Sequence, residues 1–302
     1  MKNEIKKKTV FSKHENIQYF IMLVPFSLIF LVFVILPIIS SLALSFCNYD
    51  MISGPKFTGF QNYLRMFMDD KILTTVVKNT LLFAIIVGPL GFLLSFVLAW
   101  FINEFGPFVR TFLSFLFYAP ALVGNAYFIW QIIFSNDSYG YANSILLSIG
   151  IINEPISWLK NAAYTMPIII VVQLWQSMGV SFLANISGLQ NVNGEMYEAG
   201  AIDGVRNRWQ ELWYITLPSM KHMLLFSSVM QIASSFSISA IAIQLAGYPS
   251  VEYSVDTVIS YMSDVGTVKY EMGYASAISV LLFMMMALAR LIVGKALNKV
   301  GK

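Results

Sequence analysis

The sequence predicts an all-α membrane protein, a single bundle of six transmembrane helices. Three observations lead there. Apolar residues make up 57% of the 302-residue chain and charged residues only 12%, with a mean hydropathy of +0.69; a soluble domain carries about twice that charged share. Six apolar runs are each long enough to cross a bilayer, which takes roughly 20 residues of helix. Those runs are continuously apolar rather than alternating, which excludes a closed β-barrel.

The runs fall at Ile17 to Cys47, Leu73 to Ile102, Val109 to Phe134, Ala162 to Ile186, Met220 to Ala246 and Gly273 to Leu297. The first is too long for a removable signal peptide, and no small-residue cleavage pattern follows it. This divides the chain into an N-terminal segment (1–16), a membrane domain (17–298) containing a charged segment at 193–218, and a short tail (299–302). Pro25, Pro37, Pro89, Pro120 and Pro167 lie in or beside apolar runs. Gly88-Pro89 with Gly91 predicts a bend in the second span. A membrane helix tolerates such breakers where neighbours or a wet cavity satisfy the freed backbone groups, and five together fit a bundle that moves. The lone Cys47 excludes an intrachain disulfide and says nothing about redox compartment.

Orientation follows from the basic residues. An even span count puts both termini on one side, together with the 103–108 turn and the 187–219 segment. That side collects thirteen of the 19 Lys and Arg residues, among them Lys6, Arg110, Arg206, Arg208, Arg290 and Lys299. The other side holds six, so both termini are expected in the cytoplasm. The net charge of +3 thus marks orientation, and no basic patch interleaved with aromatics supports nucleic-acid binding.

Few charges but many amides and hydroxyls lie at membrane depth. Asn125, Gln173, Gln176, Gln231 and Ser235 are the main candidates, with Tyr127, Trp130 and Trp175 nearby. Such groups usually face the bundle interior. They form either interhelical hydrogen bonds or a neutral polar path, and amides, hydroxyls and rings together suit a sugar, which has hydroxyls and apolar C–H faces. The loops at 48–72, 135–161 and 247–271 carry aromatics and acids and are either solvated connections or a docking surface.

The segment at 193–218 has its own logic. Asn193 is a good N-cap and Glu195 suits the positive end of a helix dipole. The short helix that follows runs to Ile202, and Gly204 can end it in a left-handed conformation. Glu198 and Ile202 are four apart and share a face, an acid beside an apolar knob that a partner's groove can grip. Asn207 can cap a second short helix, with Trp209, Leu212 and Trp213 on one side for the lipid interface. Pro218 suits the first turn of the next span.

Glu198-Ala199-Gly200, Gly204 and Ile215-Thr216-Leu217-Pro218 resemble the EAA signature of ABC importer permeases, the membrane subunits of binding-protein-dependent importers, most closely the carbohydrate branch of maltose type. Ser45-Phe46-Cys47-Asn48-Tyr49-Asp50 and Gly59-Phe60-Gln61-Asn62-Tyr63 are similar to the family's pattern after its first helix, and Gly273-Tyr274-Ala275-Ser276-Ala277 to the entry of its last. Two departures stand out. The family usually has alanine where Gly200 stands, and glycine either loosens the helix or permits a closer approach. Ten residues separate Gly204 from Ile215 where nine are usual; the extra one is expected between Val205 and Arg208 and bears on the register of the second short helix.

The resemblance implies a multi-pass subunit of the bacterial cytoplasmic membrane that pairs with a second permease and with two nucleotide-binding ATPase subunits. An extracellular solute-binding protein would deliver a sugar-like substrate. Glu195, Glu198, Ala199, Gly200, Ile202, Asp203, Gly204 and Arg206 would engage the ATPase as a coupling helix. Ending at Lys302 directly after the last span, the chain looks like the first permease of a pair. No GxxxxGK[ST] loop is present, so ATP and Mg are expected on the partner subunits and no cofactor on this chain. Catalysis is not expected: the only histidines, His14 and His222, sit at cytoplasmic edges, and no HExxH occurs, so no metal site is expected either. Two rival classes remain. An ion-driven secondary transporter predicts buried acids in the spans, and a non-transporting membrane protein predicts no central polar path.

Overall fold

The computed structural model describes residues 13–124 and 127–297. Most of the N-terminal segment, the tail and Asn125 therefore lie outside the described residues. Among the described residues the only β-structure is a two-residue antiparallel pair, Cys47–Asn48 with Lys56–Phe57.

Four helices are long and apolar enough to cross a membrane: Ile21–Leu44, Lys71–Asn103, Lys221–Ala246 and Met272–Leu297. The fourth predicted run is not one helix. It divides into Ala162–Gln176 and Val180–Gln190, bent by 41°, and counts as a fifth span if the pair is taken together. The third predicted run is also interrupted. It forms Pro107–Leu122, leaves helical geometry at Val123, and resumes for six residues at Phe128–Ile133. Hydropathy reads composition, and a break of a few apolar or small residues leaves it unchanged.

The first span owes its irregularity to Pro37. Leu36 donates to Leu31 O, five residues back, in a π turn over Leu31–Ile35; Pro37 has no N–H to continue an α ladder there. None of this span's apolar window is buried within the chain. Its Ser41 meets Ser279 of the last span, hydroxyl to hydroxyl, at 2.8 Å.

The second span, Lys71–Asn103, is the axis of the molecule. It is one unbroken helix through Pro89, with Gly88 and Gly91 buried on its packed face. They are contact points: a Cβ on Gly91 would collide with the Gln231 amide, and Gly88 faces Ser235 Oγ. Three apolar clusters lie along it. At its N-terminal end Leu73 and Val76 join Val258, Val265 and Ile278. Phe83 and Val87 join Ile169, Val172 and Ile241 in the middle. At the other end Phe96, Ala99 and Ile102 join Phe182, Leu212 and Leu224.

The stretches 45–50, 59–63 and 273–277, which carry family resemblance, meet in space. Asn62 Nδ2 donates to Ser45 O and Cys47 O at 2.9 Å each, and Tyr63 OH to Ser45 Oγ at 2.8 Å. Gly273 N donates to Tyr49 O, and any Cβ on Gly273 would strike Cys47 O. Close beside them stands a half-buried acid. Asp70 caps the second span by accepting from Leu73 N at 2.8 Å. Its other oxygen accepts from Tyr261 OH at 2.6 Å and Tyr274 OH at 2.7 Å, and Arg65 pairs with Glu271 at 2.8 Å while lying over the Tyr274 ring.

Candidate functional site

Two regions carry the chemistry, one at the surface and one at membrane depth. The surface region is the 193–218 segment. Asn193 Oδ1 accepts from Glu195 N at 3.1 Å and starts the helix Gly194–Ile202. It ends as a left-handed glycine allows: Gly204 has φ +94°, Gly204 N bonds Ala201 O and Val205 N bonds Gly200 O. These are the two bonds of a Schellman motif. Asn207 Oδ1 then accepts from Gln210 N at 2.9 Å and begins the second short helix, Arg208–Glu211.

Glu195, Glu198, Ala199, Ile202, Asp203, Gly204 and Arg206 are all exposed, and Ile202 at 87% is a projecting apolar knob. Gly200 alone is buried. A Cβ there would stand 2.5 Å from Ile215 Cδ1, so the glycine serves a close approach. Tyr197 OH and Thr216 Oγ1, 2.9 Å apart, tie the helix to its return strand of chain.

The stretch between Gly204 and Ile215 leaves α geometry after Glu211. Leu212–Thr216 forms a π turn in which Leu217 N reaches back to Leu212 O. A π turn accommodates one more residue than an α turn, and Pro218 next door lacks the N–H that α geometry would need. The one-sided arrangement of Trp209, Leu212 and Trp213 is also altered. Trp209 and Trp213 are exposed, but Leu212 turns into the cluster with Ala99 and Ile102.

Behind this helix lies a polar cavity of about 480 Å³, walled by Trp100, Glu104, Arg110, Tyr197, Arg208 and Glu211 among others. Arg208 binds Glu211 at 2.8 Å and Glu104 at 2.7 Å. The bond to Glu211 and the charge of Glu104 hold its guanidinium above the ordinary arginine pKa.

At membrane depth a second cavity, about 310 Å³, opens where the broken span turns. Gln176, Ser177, Gly179, Ser181, Gln231 and Ser234 line it with Ala121 and Met230. Gln231 Oε1 accepts from Ser181 Oγ at 3.0 Å and its Nε2 donates to Val87 O at 3.4 Å. Gln173 Nε2 donates to Ser234 at 3.1 and 3.2 Å, bracing the wall. Gln176 Oε1 is buried with no partner among the described residues. Gln176 and Gln231 thus border the cavity and Gln173 supports it. Ser235 is buried, donates to Ile232 O and does not border it. Tyr127 belongs to the middle apolar cluster, and Trp130 packs on Phe134 and Trp175. Ser177, Ser181 and Gly179 were missed as lining because their run reads as ordinary span; Ser-Met-Gly ahead of Val180 is the local sign of the break.

A family model described as binding-protein-dependent transport system inner membrane component matches residues 89–299. The chain is 30% identical over 298 residues to the probable ABC transporter permease protein YesP of Bacillus subtilis, covering 96% of this chain and 93% of the relative. It is 32% identical over 275 residues to the arabinooligosaccharides transport system permease protein AraP of the same organism, covering 89% and 84%. Its fold matches a chain of a bacterial ABC transporter involved in import of the acidic polysaccharide alginate, with a TM-score of 0.77, 21% identity and coverage of 96% and 98%.

Proposed function

This chain belongs to the family of binding-protein-dependent transport inner membrane components, and from that premise we propose that it is a permease subunit importing a sugar or oligosaccharide. It is a transport subunit of an ABC importer, not an enzyme. The carbohydrate assignment is supported by relatives named for arabinooligosaccharides, lactose and galactooligosaccharides, and by an uncharged cavity in which amides and hydroxyls are set among apolar side chains.

The observation that carries the mechanism is the Schellman-ended helix Gly194–Ile202, which holds Glu198 and Ile202 in water on a rigid turn. Glu195 to Arg206 engages one of two ATPase subunits, which hold ATP and Mg. A loaded binding protein docks on the outer loops, and this chain, with a second permease, alternates between inward- and outward-facing forms. Both termini lie in the cytoplasm. Gln176 and Gln231 offer the substrate hydroxyls hydrogen bonds in passage, where an unpaired amide oxygen is costly to leave empty.

The test is reconstitution in proteoliposomes with the second permease, the ATPase and the binding protein. Hydrolysis and uptake are scored with arabinooligosaccharides, lactose and galactooligosaccharides as probes. Stimulation by at least one of them is expected, and none by amino acids. Stimulation by amino acids alone, or hydrolysis by the isolated chain, refutes the assignment.

A further inference from the structure

The second short helix touches the second span at two consecutive residues. Arg208 Nη2 meets Glu104 Oε2 at 2.7 Å, and the Trp209 ring meets the Trp100 ring with centroids 5.3 Å apart. Trp100 and Glu104 are four apart, one turn of the same face at the end of Lys71–Asn103. Arg208 Nη1 is meanwhile held by Glu211 on its own helix at 2.8 Å. One arm of the guanidinium is thereby anchored at home and the other reaches across. Leu212 packs with Ala99 and Ile102 in the same joint, so the joint has an apolar centre and an electrostatic and aromatic edge.

We propose that Arg208 and Trp209 are positioning residues that splint the coupling segment to the second span, so that the two move as one body. The proposal rests on the reading of 193–218 as the ATPase-docking segment. Exposed ion pairs add little to stability: Arg208 and Glu104 side chains are 64% and 43% exposed. What such a pair does fix is an angle, and the guanidinium fork with a tilted ring pair beside it fixes one well. The second span then carries the displacement. It is a single helix of 33 residues, about 50 Å at 1.5 Å per residue. At its far end Asp70 holds Tyr261 and Tyr274. Movement of the coupling helix thus reaches the outer loop through one element, without passing through the interrupted third and fourth runs.

Two carboxylates on one guanidinium make the test. Glu211 lies within the segment and Glu104 lies across the joint, so Glu104→Gln breaks the splint while Glu211→Gln leaves it. The assembled transporter, with its second permease and ATPase subunits, is placed in nanodiscs with spin labels at Ile52 and Tyr139 in a Cys47→Ser background; both positions are over 90% exposed. ATP with vanadate is the probe. The distance distribution is expected to shift in the unsubstituted complex and in Glu211→Gln. The shifted fraction should fall at least threefold in Glu104→Gln, with the ATPase still co-purifying and basal hydrolysis unchanged, and at least threefold in Arg208→Gln. The double variant should be no worse than either single one. A full shift in Glu104→Gln, an equal loss in Glu211→Gln, or loss of ATPase from Glu104→Gln overturns the splint. Absence of any shift in the unsubstituted complex overturns the alternating-access reading itself, and the splint with it.

Discussion

The two ends of the second span are held by similar groups at different depths. At the N-terminal end one half-buried carboxylate, Asp70, accepts from two tyrosine hydroxyls and a backbone N–H. At the C-terminal end two carboxylates share the exposed guanidinium of Arg208. Away from water a charge-assisted hydrogen bond is stronger and its loss dearer; in water the same charges are screened and contribute little. The Asp70 end is built to keep its shape. The Arg208 end spends almost nothing on stability and leaves Glu198 and Ile202 in water, where the proposed ATPase would grip them. Substitutions should therefore cost stability at the first end and function at the second.

The largest stability effect is expected at Asp70. Asp70→Ala removes a cap and strands the hydroxyls of Tyr261 and Tyr274, for a loss of about 3 kcal/mol. The adjacent exposed acid is the control: Asp69→Ala should stay within about 0.5 kcal/mol. Thermal unfolding in detergent reads both, and equal losses would dissolve the contrast between the two ends. Acid should act in the same direction. Burial pushes the Asp70 carboxyl up, but the Tyr261 hydroxyl, the Leu73 N–H, the Tyr274 hydroxyl and Arg65 outweigh it and hold its pKa below 3.8. Its contribution is thus complete above pH 3.8 and disappears as pH falls through the lower folded value. Asp70→Ala should flatten that acid limb.

Next come two glycines four residues apart. Gly204 has φ +94°, so Gly204→Val should cost about 1–2 kcal/mol of backbone strain and reduce co-purification of the ATPase. Gly200→Ala gains helix propensity of about 1 kcal/mol while displacing only the tip of Ile215, and should be nearly neutral. Matching losses at both positions would mean that the segment senses crowding rather than the turn.

What could be read from the sequence was local. Asn193, Gly204 and Asn207 act within a few residues of themselves, and each does what its type and position predict. The Asp70 hub was not legible, because Tyr261 and Tyr274 lie 191 and 204 residues from Asp70. Two adjacent acids in a loop give no sign of partners so distant. The interrupted runs escaped for another reason: Ser177–Gly179 is too short to change a hydropathy window. Among the deep amides, residue type predicted burial but not which would be braced and which would face space; that depended on the 41° bend.

A smaller effect is expected at membrane depth. Gln231→Leu loses the bond from Ser181 and should cost about 1 kcal/mol, with altered uptake. Gln176→Leu removes a buried oxygen that has no partner among the described residues, so it should leave melting unchanged or slightly raised. If Gln176 serves the substrate, uptake should fall several-fold in the same variant. Unchanged uptake kinetics in both would make these amides interhelical bonds and nothing more.

The smallest stability effect, with the sharpest functional one, is expected at Glu198. Its side chain is exposed and makes no hydrogen bond or ion pair among the described residues. Lysine has similar helix propensity, so Glu198→Lys should leave unfolding within about 0.5 kcal/mol and membrane insertion intact. The neighbouring acid separates a local cause from a partner's. Glu195 sits in the first helical turn and accepts from Asn193 Nδ2 at 3.2 Å, so Glu195→Lys opposes the helix dipole and loses a few tenths of a kcal/mol with no partner present. If 193–218 docks an ATPase, the order reverses in the assembled transporter. Glu198→Lys then inverts the charge beside the Ile202 knob and should cut ATPase association or sugar-stimulated hydrolysis about tenfold, well beyond the effect of Glu195→Lys. Full association and full stimulation in Glu198→Lys would reduce the segment to a connecting loop, and the exposed end of the molecule would have no function to set against the buried one.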